Sequence, residues 1–185
     1  LVGVARARLG DVQAAEAGFA QAAEEVQASG DANLTPLLLL SRGELALEQG
    51  DRSRALALFR QAADVRGDEP PDASVVAASA YSASIGVNGR TDRSRPLLEE
   101  SVKRAVSLQR ANLEGLCRTL LARTQLAAGD AAGAVATLRL DPAIESGLDP
   151  ETAAMVAATR AEAFARTCDT ARATAAQFQQ SAGGT

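Results

Sequence analysis

Histidine is absent from the chain. With it go the commonest general base, the commonest metal ligand and every nucleophilic triad built on imidazole. The chain is therefore expected not to be an enzyme. Tryptophan is missing too, aromatics make up 3% and prolines number 6. A core with few large rings must be closed by small side chains, which lets helix axes approach closely and favours helix on helix over a covered sheet. The two cysteines, Cys117 and Cys168, stand at unrelated places in the pattern below. They make no zinc site and no expected disulfide, and read as small apolar residues in helix interfaces of a protein from a reducing compartment. No apolar run approaches the roughly 20 residues that cross a bilayer, the longest lying around Leu37 to Leu40. No membrane partner and a cytoplasmic location are expected. Nor is positive charge in excess: Lys+Arg at 19 and Asp+Glu at 23 leave a net −4, which argues against nucleic acid. A phosphate-cradling loop is also lacking, because Gly86-Val87-Asn88-Gly89 has neither the lysine nor the strand-to-helix setting that such a loop needs. No cofactor and no metal are expected.

What is abundant is alanine, at 42 of 185 positions, the residue that loses least on entering a helix. Basic residues are almost all arginine, Lys103 being the single lysine, and with the alanine this suggests a GC-rich bacterial coding sequence. The sequence opens at Leu1 inside a helical pattern and is read as a piece of a longer protein.

A spacing then emerges. Gly10-Asp11, Gly50-Asp51 and Gly129-Asp130 recur, Gly89 sits in Asn88-Gly89-Arg90-Thr91-Asp92, and Cys168-Asp169 occupies the next place. Successive markers are 40, 39, 40 and 39 residues apart. Glycine reaches the left-handed conformation that closes one helix, and aspartate caps the N–H groups that open the next. Helical apolar patterns flank each marker: Leu37, Leu40 and Leu47 before Gly50, then Ala55, Leu58, Phe59, Ala62 and Ala63 after it. Between periods come Pro70-Pro71, Asp141-Pro142 and Asp149-Pro150, the last a strong start with Asp as cap and Glu151 at the positive end of the helix dipole. Ser107 to Asn112 must also turn, with Asn112 as the candidate cap. The expected fold is all-α, about five antiparallel helix pairs in units near 1–30, 31–69, 70–109, 110–147 and 148–182.

The side chains at this spacing resemble the tetratricopeptide repeat family. A small residue stands seven positions before each marker, at Gly3, Gly43, Ser82, Ala122 and Ala161, and the second helices read Asp11, Ala15, Phe19, Ala22 and Asp51, Ala55, Phe59, Ala62. The pattern weakens later. The third unit fits only with extra residues before Ser94, placing Leu98, Val102 and Ala105; the fourth keeps Asp130, Ala134 and Leu138 but meets Asp141; the fifth keeps Asp169 and Ala173 and offers Gln177. The period of about 40 is similar to the variant found in signalling adaptors and bacterial regulators. The resemblance implies an α-solenoid, a right-handed superhelix, whose small position leaves room for the large apolar residue of the partner helix.

It also implies a function. Members bind peptides or folded partners on a concave face lined by first helices, which here would present Val4, Glu44, Ala83, Arg123 and Glu162. Leu40, Thr119 and Ala158 would lie one turn earlier, and Glu48 and Arg166 one turn later. Members that clamp a C-terminal carboxylate use Lys and Asn at such places; this chain has neither. Gly10, Asp11, Gly50, Asp51, Gly89, Gly129, Asp130 and Asp169 would be structural turns. A protein or peptide partner is expected, with self-association through the terminal repeats as a further expectation. The rival is a regulatory, effector-sensing arm of a bacterial kinase, cyclase or transcription regulator. Tyr81 is expected in the core, and Glu24-Glu25 and Glu99-Glu100 on a solvated outer face.

Overall fold

A computed structural model describes residues 12–29, 34–65, 73–85 and 91–182, as backbone alone at 29, 91 and 172–182. All regular structure among these residues is helical: α1 (Val12–Ser29), α2 (Leu34–Glu48), α3 (Arg52–Ala63), α4 (Ala73–Ile85), α5 (Thr91–Ser107), α6 (Ala111–Ala127), α7 (Ala131–Thr137), α8 (Pro142–Ser146) and α9 (Pro150–Ala182). The corners expected at Gly10-Asp11 and Gly89, the groove residue Val4 and the breaks at Pro70-Pro71 lie outside the described residues.

Two corners share one local chemistry. Gly50 and Gly129 adopt φ of 78° and 81°, a region that a Cβ would disfavour by about 1–2 kcal/mol. Each folds its helix end back onto itself: the Gly50 and Asp51 N–H groups donate to Leu47 and Ala46 carbonyls, and those of Gly129 and Asp130 to Leu126 and Gln125. These pairings satisfy carbonyls that a helix end otherwise leaves open. The aspartates then start the next helices, Asp51 Oδ1 accepting from the Arg54 N–H at 3.0 Å and Asp130 Oδ1 from the Gly133 N–H at 2.8 Å.

Packing follows a regular order. α2 lies on α3, α4 on α5 and α6 on α7, while α3 touches α4, α5 touches α6 and α7 touches α9; in addition α2, α4, α6 and α9 meet in succession. α2 and α3 approach closely at Gly43, where an added Cβ would stand 2.5 Å from the Phe59 ring. Phe59 is fully buried there with Ala55 and Ala62. On α5 the buried face is Ser94, Leu98, Ser101 and Ala105, and on α7 it is Ala131 and Ala134, followed by Leu138. α4 is buried nearly all round by small residues from Ser74 to Ala83, as a helix between two layers must be. One apolar cluster runs from Leu40 to Leu121, and a second joins Ala122, Leu126, Ala134, Leu138, Val156 and Ala163.

Three expectations are corrected. Cys168-Asp169 is no corner: α9 runs unbroken through it to Ala182, and the Thr167 and Thr170 hydroxyls donate to Ala163 and Arg166 carbonyls four residues back. Without glycine the left-handed residue that closes a helix is unfavourable, and Asp169 adds no break of its own. Cys168 is exposed rather than interfacial, whereas Cys117 is fully buried. Finally, the turn before α6 uses Gln109 at φ 52° and carries no side-chain cap on α6. Asn112 Oδ1 instead accepts the Asp149 N–H at 2.8 Å, tying the start of α6 to the start of α9.

Candidate partner-binding groove

The succession of α2, α4, α6 and α9 leaves a solvent-open groove of about 680 Å³ along their shared side. Its apolar wall is built by spacing. Leu113, Leu116, Leu120 and Arg123 recur at three- and four-residue steps on one stripe of α6, opposite Leu40, Glu44, Leu47 and Glu48 of α2. Tyr81 of α4 lies between them, and Glu151, Thr152 and Met155 of α9 close the far end.

Tyr81 is held from beneath and from the side. Its ring stacks on Phe59 with centroids 4.7 Å apart and planes 10° from parallel, so the residue that fills the Gly43 notch also sets the groove floor. Burial pushes the Tyr81 hydroxyl well above the usual phenol range, and the Glu44 carboxylate, which it hydrogen-bonds, adds to the shift, as does Glu151; the Arg123 guanidinium opposes it. The phenol therefore stays protonated and acts as a donor. Arg123 Nε donates to Thr159 Oγ1 at 3.3 Å, and Asp149 Oδ1 accepts the Thr152 N–H at 2.8 Å. Around the rim stand Glu44, Glu48, Asp149 and Glu151 against Arg110 and Arg123.

Of the groove residues expected from sequence, Leu40, Glu44, Glu48 and Arg123 line this cavity together. Ala83 and Thr119 do not. Ala83 is buried in the main core, and Thr119 is fully buried with its hydroxyl donating to the Gly115 carbonyl at 2.7 Å. Small side chains at these two places serve the contact between neighbouring helices. Ala158, Glu162 and Arg166 are exposed on α9 outside the cavity. Arg166 there pairs with Glu162 at 2.6 Å and donates to the Leu126 carbonyl at 3.1 Å, bracing α9 against the end of α6. Sequence reading missed Tyr81, Leu113, Leu116, Asp149, Glu151 and Met155 as lining; the α6 stripe was visible as spacing, whereas the α9 contribution depends on how that helix docks. The acidic pairs are exposed, Glu99 and Glu100 engaging Arg95 and Arg104 one turn away.

Burial also raises the Cys117 thiol, up to about 12, with Glu114 adding to the effect, which makes it a poor nucleophile. Among the described residues no group of three or more His, Cys, Asp or Glu side chains could hold a metal ion. Nor is any helix there long and apolar enough to cross a membrane. Compared with known families, curated proteins and solved structures, the chain gives no match to a family model, to a curated protein or to a solved structure.

Proposed function

We propose that this chain is a non-catalytic binding module of tetratricopeptide type, an α-solenoid that holds a peptide or an exposed segment of a protein partner in the groove of α2, α4, α6 and α9. The observation that carries this reading is the groove itself. Helices that alternate with the others along the chain come together on one side, leaving about 680 Å³ walled by leucines and rimmed by charge. Apolar walls with a few placed polar groups are what recognition sites offer, and Tyr81, whose hydroxyl proton goes to Glu44, keeps a phenol oxygen that can accept from a bound main-chain N–H.

Peptide display against the chain tests it. Selected peptides should bind saturably, and Leu116→Asp should abolish binding under conditions where circular dichroism still shows the variant folded and helical. Selected peptides that bind the variant equally well would remove the groove from the proposal.

The cavity's volume also falls in the range of small-molecule sites, which favours a second reading as the effector-sensing arm of a bacterial kinase, cyclase or transcription regulator. A metabolite library that raises the melting temperature of the parent, but not of Leu116→Asp, would select this reading over the first.

A further inference from the structure

We infer that the groove selects a cationic, leucine-bearing peptide segment in extended conformation, a conclusion that rests on the peptide-binding reading above. Shape comes first. The lining passes from α2 to α9 across four helices, and three steps of about 8–10 Å between axes give about 24–30 Å. A segment of roughly eight residues spans that length when extended at about 3.3 Å per residue.

Charge then narrows the sequence of the occupant. Four carboxylates, Glu44, Glu48, Asp149 and Glu151, line the cavity against two guanidiniums, Arg110 and Arg123. One of the two cations, Arg123, is drawn toward α9 by its bond to Thr159. The acids stand at both ends, on α2 and at the start of α9, so the field over the whole length of the groove favours positive charge even where individual carboxylates have partners. Leu113, Leu116 and Leu120 of α6 lie between those ends, with Leu40 beside the acids on α2, and aliphatic side chains between basic ones complement that order. A segment of this kind keeps its cationic heads in water at the rim and buries its apolar groups against the leucines.

Fluorescence anisotropy with short labelled peptides tests the inference. The peptides share one leucine-containing, non-helical frame and carry arginine, glutamine or glutamate at the same positions. The arginine peptide should bind about tenfold tighter than the glutamate peptide at low salt. The difference should shrink as sodium chloride is raised and should fall in Glu48→Gln and Glu151→Gln, both at exposed positions that leave the core untouched. Equal affinity of the three peptides, or preference for the glutamate peptide, overturns the charge selection and leaves the groove reading standing. Absence of saturable binding by any of them overturns both. Spermidine binding as tightly as the arginine peptide, or a dimer of the chain dissolved by Leu116→Asp, assigns the groove to another occupant and likewise overturns the inference.

Discussion

Gly50-Asp51 and Cys168-Asp169 occupy corresponding places in one spacing, yet the chain folds back at the first and runs straight through the second. The aspartates are the same. What differs is the residue before them, and what is packed around them. At the first corner glycine takes a left-handed turn, and the helix that follows drives Phe59 into the notch over Gly43. At the second place cysteine holds no such turn, and both Cys168 and Asp169 are exposed. A periodic marker is thus a permission to turn, and a buried side chain on the far side is what makes the turn worthwhile.

The contrast can be broken experimentally, beginning where the expected effect is greatest. In the native protein a thiol reagent should label Cys168 freely and Cys117 about a thousandfold more slowly or less, since Cys117 must await opening of α6. Equal labelling rates, followed by mass spectrometry of the modified peptides, would place α6 outside the core. Phe59→Ala should cost about 3–5 kcal/mol in denaturant unfolding, whereas Phe164→Ala, at a side chain 52% exposed on α9, should stay within about 0.5 kcal/mol. Filling the notch is the converse. Gly43→Ala should cost about 1–3 kcal/mol by overpacking, and much of that should return in the double variant with Phe59→Leu; a cost unaltered by the second change would show that the two residues are not in contact. Gly50→Ala should lose about 1–2 kcal/mol through its left-handed backbone, while Cys168→Gly should only lower helicity by weakening α9. The smallest difference is at the caps. Asp51→Ala should cost about 1 kcal/mol, and Asp169→Ala, inside a helix, should be neutral or slightly stabilising because alanine is the better helix former.

Sequence and structure meet most closely in the hairpin of α2 and α3. There Gly43, Gly50, Asp51, Ala55, Phe59 and Ala62 each do what their chemistry favours, because the signals are local and agree with one another. Local signals suffice less well in α6. Gln109 takes a left-handed turn without being glycine, and Asn112 serves the neighbouring helix rather than its own; both outcomes depend on α6 being held by α5 and α9. The groove divides in the same way. Leu40, Glu44, Glu48 and Arg123 were expected from the family resemblance, and they line the cavity. Thr119 and Ala83 fall off the lining stripes of their helices, where a small residue permits close packing and so disappears into the core.

The helices of the described residues, a core closed by alanine and two glycine-aspartate corners were determined by the sequence alone, for these depend on backbone preference and on hydrogen bonds between residues a few positions apart. The course of α9, the seat of Tyr81 between Phe59 and Glu44, and the gathering of four helices around one groove were decided only by tertiary structure. They depend on which faces meet across distant parts of the chain, and side-chain spacing within a single helix carries no record of its neighbour.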